Sequence, residues 1–246
     1  MVGNKYERYI VQLLFVAPPN SKIDYSSISL LSGHACPFAL DCMAKVHKVT
    51  RKIVDGKYAT VRCHAASSEA SFPSVYDTRD SNFNLLKACK TEDEMVLLIQ
   101  YSLPNSYSPF RIHVGGDFFN QRYFNAWVRV AREDKFQRIF YGYTKSLRYW
   151  VNCPHDIPDN LSLTASEGGR EDFLIRKHNL KSAIVVDHPD EAIKLGLQID
   201  HDDSLAIKSK HSFALLLHGV QKAGTKSSKA LQRMTKENIQ YSYSKR

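Results

Sequence analysis

From residue 110 onward, short apolar runs alternate with segments of helical periodicity, and this alternation limits the possible folds more than any other feature of the sequence. Phe110 to Val114, Arg138 to Tyr143, Leu161 to Ala165, Ser182 to Val186 and Phe213 to Leu217 all have strand length. Between the first two, Gln121 to Glu133 carries Phe124, Trp127, Val128 and Ala131 at i, i+3, i+4 and i+7, one face of a helix. Pro189 opens a further short helix through Leu195. Strands that alternate with helices pair in parallel through right-handed crossovers. A run as uniformly apolar as Ala183 to Val186 suits a sheet covered on both faces. The predicted fold class is therefore α/β with a mostly parallel sheet. The chain holds about six βα steps, short of the eight in a closed TIM barrel. A partial, open (β/α) barrel and a doubly wound sheet both satisfy the pattern.

The first hundred residues are less regular. Residues 18–35 are rich in Pro, Ser and Gly and read as a loop leading to Cys36. Asp41 to Val49 is predicted as one or two helical turns, and Tyr58 to Arg62 as a short strand with Cys63 at its end. Ser81 to Lys90 and Glu92 to Tyr101 have helical spacing; Thr91 can cap the second helix, with Asp93 and Glu94 in its first turn. Tyr9 to Ala17 is apolar like the centre of a signal peptide, but it is short, contains Gln12 and follows Glu7, so a buried strand is predicted. No run approaches the length of a membrane-spanning helix. Ser227 and Ser228 introduce a Lys-rich helix to about Glu237, and Tyr241 to Arg246 reads as a mobile basic tail. The organisation expected is one α/β domain over 1–246, with a cysteine-bearing region at 30–66 and a basic helix and tail at 227–246.

Hydrophobic residues make up 43% of the chain and charged residues 24%, the balance of a globular protein rather than a disordered one. The net charge of +9, from 34 basic and 25 acidic side chains, favours anionic partners, nucleic acid first; a lysine-rich surface that keeps the protein soluble accounts for it equally. The odd count of five cysteines argues against a secreted disulfide framework and for reduced thiols in a cytoplasm.

The pattern Cys36-x5-Cys42-x20-Cys63 carries the most chemistry. Thiolates are soft ligands for iron–sulfur clusters and zinc. Three of them can hold a four-iron cluster and leave one iron open to a substrate or cofactor. A structural zinc would need a fourth ligand, for which His34, His64, Cys153 and His155 are candidates. Thiols packed in a core are the plainer alternative. Four strand ends carry glycine or polar residues: Gly115-Gly116-Asp117, Tyr143-Thr144-Lys145, Ser166-Glu167-Gly168-Gly169 and His218-Gly219. Ligands of parallel sheets bind at such ends, where Asp117 would suit an ammonium group and Lys145 a carboxylate or phosphate. The same residue types also simply build βα turns.

Other motifs are weaker. Gly219 to Ser227 lies between a strand and a helix, but Thr225 intrudes between Gly224 and Lys226, which excludes a Walker loop and leaves open a simpler anion site at the helix start. Asp200-His201-Asp202-Asp203 has metal-ligand residue types but reads as a solvated acidic loop. Lys222, Lys226, Lys229, Lys236, Lys245 and Arg246 suit phosphate backbones or a solvated helix face equally. Cys89, inside a predicted helix, reads as core.

These residues together resemble a phage protein family called gene product eighty-eight. The resemblance runs from about Ser32 to Tyr241. It rests on Cys36-Pro37 with Ala39 and Cys42, Cys63-His64-Ala65, Ser74-Val75 with Arg79 and Asn82, Arg111 to Phe118, Tyr123 to Trp127, Tyr143 to Ser146, Ala165-Ser166, and His218-Gly219 with Gln221. More distantly, cysteines ahead of an α/β region and a Gly-Gly-acid turn after a strand look like radical S-adenosylmethionine proteins. That superfamily spaces its cysteines x3 then x2 and has Glu in the turn. The likeness implies a four-iron–four-sulfur (4Fe-4S) cluster on Cys36, Cys42 and Cys63. It also implies S-adenosyl-L-methionine held by Gly115, Gly116 and Asp117, with help from Ser166. The function expected is an iron–sulfur protein of phage origin, radical-SAM-like, acting on a nucleic acid or nucleotide. The alternatives are a non-catalytic nucleic-acid-binding protein with a structural metal, and a metal-free α/β protein acting on a host partner.

Overall fold

Along the chain the elements are β1 (Ser26–Ile28), β2 (Ala44–Val46), β3 (Ile53–Asp55), α1 (His64–Ser71), α2 (Pro73–Ala88), α3 (Glu92–Ser102), β4 (Phe110–Ile112), α4 (Gln121–Glu133), β5 (Phe140–Thr144), α5 (Leu147–Val151), β6 (Leu161–Ser166), α6 (Phe173–Lys177), β7 (Ser182–Val186), α7 (Pro189–Leu195), α8 (Ser204–Lys208), β8 (Phe213–Leu216) and α9 (Lys226–Lys236). This computed structural model describes residues 12–15, 25–105 and 109–239. Six strands form one sheet in the order β1-β4-β5-β6-β7-β8, every neighbouring pair parallel. The order never reverses, so the sheet lacks the switch point of a doubly wound fold. Crossovers of one hand that always step in the same direction place α4 and its neighbours α2 and α3 on one side of the sheet, and α8 covers part of the other. Among the described residues β1 and β8 each pair on a single side, so the sheet is open and no barrel closes.

Alternation along the strands separates two faces. Phe110, Ile112, Phe140, Leu161 and Leu163 pack against Phe124, Trp127 and Val128 of α4, Leu86 of α2 and Ile99 of α3. The predicted stripe on α4 is thus its buried face, and Asn120 caps the helix by accepting from Tyr123 N at 2.8 Å. Thr91 caps α3 as predicted, accepting from Glu94 N at 3.1 Å. On the other face Tyr141, Ala183 and Phe213 meet Ala206 of α8.

The acidic run at 200–203 is only half solvated: His201 and Asp202 are exposed as expected, while Asp200 and Asp203 are buried. Asp200 and Asp203 are each 1% exposed. Asp200 accepts from Leu205 N at 3.1 Å and Ala206 N at 3.0 Å, so its carboxylate starts α8. Asp203 takes Arg111 Nη1 at 2.6 Å and the hydroxyls of Tyr141 and Tyr143 at 2.9 Å each. Those carboxylates are buried because backbone N–H groups and a buried guanidinium need them.

The first hundred residues depart further from expectation. Ser26–Ile28, inside the predicted loop, is β1; its backbone pairs with β4, and Ile28 alone supplies apolar burial there. Residues 44–46, predicted helical, are strand β2 paired antiparallel with β3. Ala44 and Val46 are buried with Lys45 exposed between them, a period of two that a short helical reading overlooked. Residues 58–62 are turn and bend, and Cys63 is the N-cap of α1. Of the strand predicted at Tyr9 to Ala17 only residues 12–15 are described, and they form none; Leu13 is buried and Leu14 N donates to Asn82 Oδ1 at 2.8 Å. The predicted tail at Tyr241 to Arg246 lies outside the described residues. No helix among the described residues is long and apolar enough to cross a membrane.

Asp203 is the acceptor that lets Arg111 stay buried. Asp203→Ala is therefore expected to lower unfolding free energy by about 3–5 kcal/mol in urea titration, the cost of stranding a buried charge.

Candidate functional site

The segment bearing the cysteines is laced by backbone hydrogen bonds across the carboxyl edge of the sheet. Leu30 N donates to Gly115 O at 2.8 Å, just beyond β4. Leu40 N and Asp41 N both donate to Gly168 O, at 3.3 and 3.0 Å, just beyond β6, and Arg170 N donates to Phe38 O at 2.9 Å. Beyond β8, Gln221 Oε1 accepts from Arg62 N at 2.7 Å and its Nε2 donates to Arg62 O at 3.2 Å, fixing the residue next to Cys63. Ser227, at the start of α9, donates to Thr60 O at 3.0 Å. Cys36, Cys42 and Cys63 therefore sit over strand ends separated from them by most of the chain.

Under this roof lies a cavity of ≈ 970 Å³. Its lining includes all three cysteines, Gly115, Gly116, Asp117, Lys145 and Ser166, and also His64 and His218. The two histidine rings lie 5.0 Å apart, centroid to centroid. Cys36, Cys42, Cys63, Gly115, Gly116, Asp117 and Ser166 thus line one space, and all four glycine-bearing or polar strand ends reach it. Of the candidate fourth zinc ligands only His64 lines the cavity. His34 Nε2 meets Val46 O at 3.4 Å, His155 faces Glu92 at 3.7 Å, and Cys153 packs against the main core. Among the described residues no three Cys, His, Asp or Glu side chains are already drawn around a single ion position.

The turn after β4 is shaped by packing within the chain. His113 takes a left-handed backbone, φ 66°, and its Nε2 lies 2.9 Å from Tyr123 Oη. Burial, then the charge of Arg111, pushes its pKa down to about 3, so it is neutral. Gly116 has φ 85°, and a Cβ on it would lie 2.7 Å from Leu30 Cβ. A Cβ on Gly115 would lie 2.8 Å from Arg79 Nη1. Both glycines are needed for the cysteine segment and α1 to close over the turn.

Asp117 is a brace. Its Oδ1 accepts from Thr144 Oγ1 at 2.6 Å and Phe118 N at 2.7 Å, and its Oδ2 from Lys145 N at 2.8 Å. It thereby joins the ends of β4 and β5, and little acceptor capacity is left for a ligand. Burial raises its pKa to about 6 against the opposing pull of these donors and of Lys145. Lys145 in turn donates from Nζ to Ser166 Oγ at 3.0 Å, Ser166 O at 3.1 Å and Glu167 O, joining β5 to β6.

The thiols are electrically linked. Burial pushes Cys36 well up, and Asp117, Cys63 and Cys42 add to the effect. Cys42 is pushed up to about 11 by burial, with Lys145 pulling the other way and Cys63, Asp117 and Asp41 raising it. In the metal-free chain both are neutral thiols at pH 7, and a bound cation would reverse that balance. Gly33 N donates to Cys36 Sγ at 3.3 Å, a bond that favours the thiolate.

Reading the sequence alone missed the supports of this site. Glu69 Oε1 accepts from Ser32 N at 3.0 Å, Ser32 Oγ at 2.8 Å and Arg79 Nη1 at 2.8 Å, and Arg79 Nη1 also donates to Ala65 O at 3.0 Å. Glu69 looks like a solvated helix residue in sequence; only the small residues around it, Ala65 and Ala66, hint that this face of α1 is buried.

Compared with known proteins, the chain matches the family model described as Gene product 88 over residues 3–235. No curated protein and no solved structure matches it.

Two measurements check this geometry. Gly116→Ala should lose about 1–3 kcal/mol of stability, from the strained φ together with the Leu30 contact. Asp117 is easier to protonate folded than unfolded, so its contribution is present below its unfolded pKa and is lost as pH rises through about 6. In the metal-free protein, Asp117→Asn should therefore flatten the fall in chemical-denaturation stability between about pH 4 and pH 6.

Proposed function

The chain belongs to the gene product 88 family, and from that premise we propose that it is an iron–sulfur protein of phage origin, acting in the host cytoplasm. In this reading Cys36, Cys42 and Cys63 hold a 4Fe-4S cluster, S-adenosyl-L-methionine occupies the rest of the cavity, and the open parallel sheet is a radical-SAM-like partial barrel. The observation that supports the reading is that three soft thiols, the Gly115-Gly116-Asp117 turn and Ser166 all line one cavity at the carboxyl ends of a parallel sheet.

The donor set fits the group. Three soft thiols line the same cavity, one already receives a backbone N–H, and deprotonation on loading makes uptake more favourable as pH rises. When bound, the cluster would supply the electron that reduces a sulfonium. The chain's own residues orient and enclose: Gly115 and Gly116 let Leu30 and α1 close over the turn, Asp117 fixes the β4 and β5 ends, and Ser166 is held by Lys145.

Cavity charge favours a cationic ligand. Six carboxylates line it, those of Asp41, Asp117, Glu167, Asp172, Asp187 and Glu191, against four cations, Arg62, Arg111, Lys145 and Lys226. Three of those cations are engaged by Asp55, Asp203 and Asp187. A sulfonium with its ammonium group suits this lining better than a phosphate does. Any nucleic-acid substrate would meet the basic exterior and present only a base or sugar inside.

Protein purified without oxygen should be brown, with a broad absorption near ~400 nm and matching iron and sulfide, lost in Cys36→Ser. A colourless protein with one zinc would instead support the structural-metal, nucleic-acid-binding alternative. A cluster-loaded sample that fails to retain S-adenosylmethionine in equilibrium dialysis would remove the radical chemistry.

A further inference from the structure

Among the four cations lining the cavity, Lys145 differs from the rest. Arg62 pairs with Asp55 at 2.6 Å, Arg111 with Asp203 at 2.6 Å and Lys226 with Asp187 at 2.9 Å. The ammonium of Lys145 has no carboxylate within ion-pair reach among the described residues; its three partners are a hydroxyl and two carbonyls, all neutral. Lys145 is only 8% exposed. Asp117 accepts from the Lys145 backbone N–H at 2.8 Å and not from its ammonium.

A buried ammonium without an opposing charge is costly. It is kept where a negative charge is to be supplied. Cys42 lies across the same strand end: Lys145 Nζ donates to Glu167 O, while the next residue's oxygen, Gly168 O, accepts from Asp41 N at 3.0 Å beside Cys42, and both side chains line the cavity. An ammonium has three N–H donors, and all three are already used on Ser166 and Glu167. The side chain therefore offers a ligand its charge and no hydrogen bond. This suits a compensating charge for thiolates better than a seat for a carboxylate or phosphate.

We propose that Lys145 is a positioning residue of the metal centre, a fixed cation held by Ser166 and Glu167 that offsets the anionic charge at Cys42 and so raises the reduction potential of the cluster. The inference rests on the cluster reading above. A positive charge close by in a dry site favours the reduced, more negative state. Residues outside the ligand set commonly adjust a metal centre in this way.

The test is a redox titration of cluster-loaded protein followed by visible absorption and electron paramagnetic resonance, with iron measured in each sample. Lys145→Met and Lys145→Gln remove the charge; Lys145→Arg keeps it. The expected result is a midpoint moved to more negative potential in the first two, with faster loss of iron to a chelator, and a near-native midpoint in Lys145→Arg. Using two neutral variants keeps the test open if one fails to fold by circular dichroism. Full iron with an unmoved midpoint in the neutral variant would overturn the role of Lys145 and leave the cluster standing. Wild-type protein without iron would overturn the cluster reading and this inference together.

Discussion

One buried ion pair underlies the assembly of the site. Glu69, 1% exposed, meets Arg79, 8% exposed, at 2.8 Å. The pair is more than a contact between α1 and α2. The same oxygen of Glu69 receives both donors of Ser32, four residues before Cys36. The same nitrogen of Arg79 reaches Ala65 O, in the first turn after Cys63, and fills the space that a side chain at Gly115 would need. The first cysteine loop, the third cysteine's helix and the glycine turn are thus positioned by one charge-assisted network. Buried pairs of this kind contribute little net stability over apolar packing, while removing one partner is costly because the other stays buried and charged. Its value here lies in geometry: three chain segments can meet over the cavity in one arrangement only. Asn82, one helical turn beyond Arg79, extends the same anchoring by gripping Leu14 O at 2.8 Å and Ser29 O at 3.2 Å.

What could be read from the sequence divides at about residue 110. Beyond it, periodicity and element boundaries agree, because the strands are mostly buried and the helix α4 packs its apolar stripe on the sheet, although Val185 of β7 is exposed. The boundaries of α4, β7 and α7 are those predicted. Before it, the helical spacing and the Thr91 cap were legible in α2 and α3, but the segments around the cysteines are held by backbone bonds to strand ends and by buried polar side chains, which leave no periodic trace. Ser26-Ser27-Ile28 reads as loop because its residues are small and polar, yet it is a strand because β4 offers an open edge. The hairpin of β2 and β3 is only three residues to a side, too short for alternation to stand out. The cysteines were legible by spacing and the strand ends by their glycines. Of the residues that hold them together, Arg79 and Gln221 stood out only through the family resemblance and without a role, and Glu69 not at all, since charged or amide side chains usually sit on the surface and only the tertiary fold makes these exceptions.

Charge is distributed in two opposed ways. The whole chain carries +9, while the cavity holds more carboxylates than cations. These facts are compatible because three of the four cavity cations are matched, Arg62, Arg111 and Lys226 each having its own carboxylate, and the basic excess lies outside. Salt screens exposed charges beyond about 10 Å, so the exterior acts on a partner as it nears the surface, while the enclosed carboxylates act only on what enters. The exterior therefore favours an anionic macromolecule without setting the chemistry of the interior. Inside, Lys145 is the cation without a carboxylate partner among the described residues, and it shares the cavity lining with Cys42, between the brace at Asp117 and the end of β6. The arrangement makes sense when the thiols carry negative charge, because the ammonium then gains the partner that its fixed position otherwise denies it.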